Sequence, residues 1–502
     1  MQDVGSIVGG STPSTKNPAF WNGGDIPWIT PADLSGYDHK FISRGARNIT
    51  RLGLERSGAM LLPAGAVLFS SRAPIGYVAI ASNPVSTNQG FKSFVLAPGI
   101  EPDYIYYYLQ FAKPLAIALA SGTTFQEISG QKARVIPVVV APVAEQPRIV
   151  EAIESYLTRL DDAVASLERV QANLKAYRAS VLKAAVEGRL VATEASLARV
   201  EKRDYEPAEV LLARILKERR RRWEEAELAR LNANGKAPKD DKWKTKYKEP
   251  VAPDTSTLPK LPAGWCWATT DQIFWFVTSG SRGWARYYSE SGAAFIRIGN
   301  LDHDSISLDL SEIQHVSPPR GAEGTRTRVA PGDVLISITA DVGMVGLVRD
   351  QLEEGYINQH ISLARPVHDI CIPYLAWFLA ARDGGQKQLL ALQRGATKVG
   401  LGLDDIRSVS VPMPPLSEQR SIVDEIERGF SVAADCEAAV WRNELRARRL
   451  RQAILKWAFE GKLVDQDPTD EPAEELLARI RAGRDAFSPA KKTVGRRVRG
   501  AA

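Results

Sequence analysis

The pair Glu145-Gln146 and the Ile149-Val150 step after it recur as Glu418-Gln419 and Ile422-Val423, displaced by 273 positions. The same displacement carries Ile153 onto Ile426, and "VEGRLV" at Val186 onto "FEGKLV" at Phe459. One unbroken offset over residues 144–191 means that nothing was inserted or deleted there. Surface loops seldom keep length so strictly, whereas a helix with a packed face must. Upstream, "LPAGAVLFSS" at Leu62 answers "VAPGDVLISI" at Val329, and "NQG" at Asn88 answers "NQH" at Asn358. "SGTTFQEIS" at Ser121 answers "RGATKVGLG" at Arg394, and "EPAEVLLARI" at Glu206 answers "EPAEELLARI" at Glu471. The chain is two copies of one unit: a globular module, a long helix, then a short helix with an acidic start.

Apolar residues of the first long helix fall at Ile149, Ile153, Leu157, Leu160, Val164, Leu167, Leu174 and Val181, steps of three and four that make a heptad-like stripe. A helix over residues 145–187 would be roughly 60–65 Å long. The second copy repeats the stripe with Ile422, Ile426, Phe430, Val440, Leu450 and Ile454, weakened where Glu437 and Ala447 replace Val164 and Leu174. Two matching helices longer than their modules need are expected to pair as an antiparallel coiled coil. The modules read as mixed α/β, because short runs such as "AVLFSS" and "GYVAIA" are divided by Gly and Pro. The Tyr- and Leu-rich stretches at Tyr104 and Tyr374 read as core helices. The predicted fold class is therefore α+β: two repeated α/β modules separated by a pair of long antiparallel helices.

At 502 residues the chain exceeds what one core supports. No run of eighteen apolar residues occurs, and the N-terminus lacks the basic head and apolar core of a secretory signal. Cys266, Cys371 and Cys436 lie far apart, which suits a reducing, cytoplasmic setting and excludes a CxxC zinc framework. The net charge of +6 permits a polyanionic partner without requiring one. Residues 216–250, rich in Arg and Lys with Trp223, Trp243 and Tyr247 interleaved, read equally as a solvated linker and as a phosphate-contacting strip. The "KKTVGRRVRG" tail reads as a basic, disordered end.

Catalytic patterns are absent. Gly235-Lys236 and Gly461-Lys462 lack the rest of a phosphate-cradling loop. "SPPR" at Ser317 ends in arginine where an amino-methyltransferase turn needs an aromatic ring. The histidines (His39, His303, His315, His360, His368) show no metal-ligand spacing, "DHD" at Asp302 reads as a polar loop, and "DDK" at Asp240 sits in a linker. No metal and no catalytic residue is expected.

"STPSTKNPAFWNGGDIPWITPADL" at Ser11 resembles the opening of a target recognition domain of type I restriction–modification specificity (S) subunits. "PVVVAPVAEQPRIVEAIE" and "VPMPPLSEQRSIVDEIE" resemble that family's proline-rich strand ahead of a spacer helix, and "SVLKAAVEGRLV" and "AILKWAFEGKLV" resemble its helix endings. The first module departs from the pattern: it lacks the "LPAGWCWATTDQI" lead-in at Leu261, so either the true start lies upstream or that strand is dispensable. "VAPVAEQP" also replaces the usual Pro-Pro-Leu, with Pro147 in the first helical turn, where proline is tolerated.

The resemblance implies a first target recognition domain at 1–143, a first conserved spacer helix at 144–193, and a short helix with basic linker at 194–255. It implies a second target recognition domain at 256–416, a second spacer helix at 417–466, and a short helix with basic tail at 467–502. It further implies a non-catalytic, sequence-specific DNA-binding subunit that reads a bipartite, asymmetric target and carries two methylation (M) subunits on its helices. Together they would form a DNA adenine methyltransferase, to which restriction/translocase (R) subunits add. No cofactor is expected on this chain; S-adenosylmethionine, ATP and Mg are expected on the partners. Glu145, Gln146 and Ile149, with Glu418, Gln419 and Ile422, are the expected partner-subunit or spacer-helix positions. Loop position and charge suggest Thr12, Lys16 and Trp21, with Arg282, Trp284 and Arg286, as DNA contacts, beside an equally good reading as loop structure or phosphate contacts. The rivals are a self-sufficient modification enzyme, for which no stretch is large enough, and a stand-alone architectural or regulatory DNA binder.

Overall fold

A computed structural model describes residues 1–122, 126–235, 238, 240–318, 321–350, 352–394 and 400–487. The chain divides into two compact units, Met1–Glu168 with Trp441–Ala502, and Arg169–Val440. Each long helix, Glu145–Val186 and Leu416–Phe459, is continuous and contributes one end to each unit.

In the first unit a five-stranded sheet runs in the order Gly5–Gly9, Lys92–Leu96, Val67–Phe69, Val78–Ala81, Phe41–Ile42. Alternation sets its faces: Val67 and Phe69 join one core with Phe94, while Leu68 joins another with Ala79 and Phe91. A smaller sheet of Arg47–Ile49, Ile26–Ile29 and Ser86–Thr87 lies in the same unit. Tyr104, Ile105, Tyr108 and Leu109 of the helix Pro102–Phe111 are buried, so this stretch is core as its composition suggests. Ile149, Ile153 and Leu157 from the start of the first long helix pack into that core. So do Ile454, Leu455, Ala458 and Phe459 from the end of the second. The Phe459 ring lies 5.3 Å from Tyr104, 5.0 Å from Tyr108 and 5.5 Å from Phe111. The helices run antiparallel, with Arg451 paired to Asp161. Leu476 and Ile480, on the helix Ala473–Phe487, close the same core.

The second unit repeats this plan. One sheet orders Phe274–Ser279, Ile361–Pro366, Val334–Ser337, Val345–Leu347; a second orders Tyr288–Ser289, Gln314–Val316, Ala293–Ile296, Gly355–Ile357. A third element, absent from the described part of the first unit, pairs Cys266–Thr269 antiparallel with Ser410–Met413. The helix Ile372–Ala380 is buried along its length from Tyr374 to Ala380. Its core takes Ile422, Val423 and Ile426 from the start of the second long helix and Val181 and Ala185 from the end of the first. Leu211 and Ile215 of the return helix Ala208–Ala233 complete it. Glu437, which interrupts the apolar stripe, binds Arg178 across the helix pair at 3.0 Å. The antiparallel pairing expected from the sequence is thus present, and each module is finished by the far end of the helix that starts in the other copy. No described helix is long and apolar enough to cross a membrane.

The described part of the linker after Ala208–Ala233 folds back on that helix through half-buried Trp243 and Tyr247, while most of its polar residues stay exposed. A turn at Asp241–Lys246 stacks Trp243 on Trp223 with centroids 6.1 Å apart and sets Tyr247 5.3 Å from Trp223. Arg219 donates to Tyr247 Oη at 2.8 Å and pairs with Asp271, while Arg220, Arg221 and Arg222 pair with Glu224, Glu225 and Glu218. Its cations are largely answered within the chain, and its aromatics stack on one another.

Candidate nucleic-acid interface

The two modules hold their leading loops by the same device. Gly10 and Gly280 press their backbones against the carbonyls of Asn88 and Asn358. A Cβ would sit 1.9 Å and 2.0 Å from those oxygens, so no other residue fits without moving the strand. The Asn88 and Asn358 side chains in turn accept from the amides of Gly90 and His360 at 2.9 and 3.1 Å. The matching "NQG" and "NQH" motifs therefore anchor the loops that begin at Ser11 and Ser281.

In the first loop, Trp21 donates its indole N–H to Ser14 O at 3.1 Å, and Trp28 donates to Ser11 O at 3.0 Å. The two indoles meet edge to face at 5.0 Å. Trp21 is 9% exposed and Trp284 only 3%, the latter stacked on Phe295 at 5.1 Å and tilted against Tyr356 at 5.3 Å. As candidate base contacts the two tryptophans are therefore corrected: they are loop anchors whose faces are already covered. Thr12 bonds Gln89 at the surface, and Lys16, Arg282 and Arg286 are exposed, Arg286 lying 4.8 Å from the Tyr287 ring.

Sequence reading missed a neighbouring set of cations. Arg44, Arg47 and Arg56 are exposed on and beside the strand Arg47–Ile49, and the Arg47 guanidinium lies 3.7 Å from the centre of the Trp21 ring. A guanidinium stacked on an indole keeps its N–H edge free for phosphate or a guanine edge. Four arginines within thirteen residues were the available signal, of which Arg51 is paired with Glu55. In the second module Arg297 and Arg328 are exposed near the corresponding sheet, whereas Arg326 is engaged with Thr278 Oγ1, Ser279 O and Ser281 Oγ. The two surfaces share a framework and differ in exposed side chains.

The six partner-subunit/spacer-helix candidates lie at the starts of the two long helices. Glu145, Gln146, Ile149, Glu418, Gln419 and Ile422 are each at most 4% exposed. Gln146 accepts from the Glu101 amide at 2.9 Å and donates to Ala141 O at 3.0 Å. Gln419 does the same with Cys371 and Pro414, at 3.0 and 2.8 Å. These residues join helix to module inside the chain. Glu418 accepts from the Glu194 amide and the Trp265 indole, both at 2.9 Å, and burial raises its carboxyl above the ordinary value.

No group of His, Cys, Asp or Glu that could hold a metal occurs among the described residues. His303 of the "DHD" loop bonds Asp341 and Gln386. Residues 319–320 of "SPPR", and 123–125 and 395–399 of the matched Ser121 and Arg394 motifs, lie outside the described residues.

The profile of the family described as "Type I restriction modification DNA specificity domain" matches residues 1–174 and 325–434. The type I restriction enzyme MjaIX specificity subunit of Methanocaldococcus jannaschii is 41% identical over 167 residues, covering 33% of this chain and 37% of that protein. The type I restriction enzyme EcoBI specificity subunit of Escherichia coli is 24% identical over 380 residues, 74% of this chain and 69% of that one. Among solved structures, one described as the basis of complex assembly and conformational transition of the type I R-M system superposes with a TM-score of 0.62. It is 18% identical and covers 92% of this chain and 96% of that chain. The HsdS subunit from Thermoanaerobacter tengcongensis gives 0.52 at 17% identity, covering 92% and 95%.

Proposed function

From the premise that this chain belongs to the type I restriction–modification DNA specificity family, as a DNA-recognition subunit, we propose that it reads a target in two unequal halves while partner subunits perform the chemistry. One observation carries the reading: two modules share loop anchors at Gly10/Asn88 and Gly280/Asn358 yet present different exposed side chains around them. Each would address base edges in the major groove, where every base pair has a distinct donor and acceptor pattern. Unlike surfaces make unlike half-sites, with an unread gap between them.

In this reading the chain acts in the cytoplasm, and two methylation subunits bind outward faces of the long helices to form a DNA adenine methyltransferase. They hold S-adenosylmethionine, which supplies the methyl group, and restriction subunits hold ATP and Mg. This chain's residues position the DNA. Sequencing the methylome of cells with and without the gene, in a strain expressing the neighbouring methylation subunit, tests the reading. Loss of one interrupted, asymmetric motif is expected; an unchanged methylome overturns it.

A further inference from the structure

The sheet registers place one residue of each module at the same framework position, and the two differ in kind. In the first module Trp28 lies opposite Arg47 across an antiparallel pair and opposite Ser86 across a parallel one, two residues before the anchor Asn88. In the second, Phe295 lies opposite Gln314 and Tyr356 in the same two senses, two residues before Asn358. Arg47 and Gln314 are therefore counterparts, separated by the same number of positions as Leu62 and Val329 of the matched motifs.

Arg47 has a rigid setting. Its strand, Arg47–Ile49, is an edge of the small three-stranded sheet. The loop that enters this strand is held by Asp33, whose carboxylate accepts from the amides of Ala46 and Thr30, both at 2.7 Å. The guanidinium lies 3.7 Å from the centre of the Trp21 ring, and that ring is itself fixed by its bond to Ser14 O and by the edge-to-face contact with Trp28. Stacking sets the plane of the guanidinium and leaves its donor edge exposed. No ion pair among the described residues involves Arg44, Arg47 or Arg56. The fork is thus oriented, charged and unanswered within the chain.

We propose that Arg47 is a specificity-determining residue of the first module, its fixed fork donating two hydrogen bonds to O6 and N7 of one guanine in the major groove. A point charge suffices for a phosphate, and Arg44 and Arg56, exposed before and after it in the sequence, supply such charges. A phosphate contact common to both modules would keep its cation at the matched position. The second module instead carries Gln314, half-buried and donating to His315 O at 3.0 Å. A change of hydrogen-bonding type at one framework position is what unlike half-sites require, since arginine matches guanine and glutamine matches adenine. This role rests on the split-target reading proposed above and names a residue that carries part of it.

The full-length chain, purified with its methylation subunit, is titrated by anisotropy with fluorescein-labelled duplexes carrying the methylome-derived target. Further duplexes replace each base pair of either half-site singly, and every Kd is measured at several salt concentrations. Arg47→Ala should weaken binding to the intact target by about ten- to a hundredfold. At one G·C pair of one half-site it should also abolish discrimination, so that intact and substituted duplexes bind the variant equally while the other half-site is still read. Arg47→Lys, which keeps the charge and loses the fork, should lose the same discrimination. Arg44→Ala should instead weaken all duplexes alike and flatten the salt dependence. Continued reading of the other half-site shows that each variant is folded and assembled. Equal weakening of every duplex by both Arg47 variants overturns the proposal in favour of a phosphate contact, and so does discrimination preserved at every G·C pair. A wild-type complex that reads no split target fails the underlying reading too, which separates the two failures.

Discussion

The Gln419 side chain accepts the amide of Cys371 at 3.0 Å, as Gln146 accepts that of Glu101 at 2.9 Å. Each glutamine is fully buried and bridges the first turn of a long helix to the start of a core helix. Replacement by Ala strands a backbone donor and a backbone carbonyl together. Gln146→Ala and Gln419→Ala should each cost about 2–6 kcal/mol, from about 1–3 kcal/mol per orphaned group. Urea denaturation, with hydrogen exchange assigning the loss to the unit that carries the substitution, measures it.

Glu418 and Glu145 are matched in sequence and differ in surroundings, which separates their substitutions. Glu418→Gln puts an amide N–H against one of two donors, Glu194 N or Trp265 Nε1, and should cost about 1–3 kcal/mol. Glu145→Gln breaks no such bond and should change stability by less than about 1 kcal/mol.

Both carboxyls are raised by burial, which fixes the sign of a pH effect. A folded pKa above the unfolded one means the native state binds the proton first. The stabilisation is therefore complete below the ordinary carboxylate pKa and is lost as pH rises through the raised value. Melting temperatures measured from pH 4 upward should fall across that window relative to the double variant Glu145→Gln/Glu418→Gln, which should show a flatter profile.

Phe459 sits 4% exposed among Tyr104, Tyr108 and Phe111 at the end of a helix that begins in the other unit. Phe459→Ala should cost about 3–5 kcal/mol. Faster amide exchange should appear in Pro102–Phe111 and not in Ile372–Ala380. Equal effects on both helices would contradict the packing described.

What was legible in the sequence depended on periodicity and matching. The constant offset from Glu145 to Val191 exposed the duplication, and the stripe from Ile149 to Val181 exposed the helix pair. Phe459 could not be placed, because an apolar residue at a helix end carries no address for the core it enters. The shared Glu-Gln pairs were legible as helix positions but not as joints to the modules. Identity between copies reports a common constraint, and a buried joint satisfies it as well as an outward docking face. Trp21 and Trp284 looked like base contacts from their loop position, yet a tryptophan in a loop that needs anchoring is as readily its core. Arg47 was missed because its meaning comes from the Trp21 ring beneath it, 26 positions away in sequence.

The proposed split target leads to a prediction about the helices themselves. Inserting eleven residues after both Leu167 and Val440 adds about three turns to each, which preserves the facing of the apolar stripe. These points fall at the division between the two compact units, so neither module is cut. The added rise is roughly 16 Å, equivalent to about five base pairs at about 3.4 Å each. Methylome sequencing should then find the same two half-sites with a longer unread gap. The half-sites should stay unchanged because the anchors at Gly10/Asn88 and Gly280/Asn358 are untouched. Altered half-sites around an unchanged gap would show that the helices do not set the spacing.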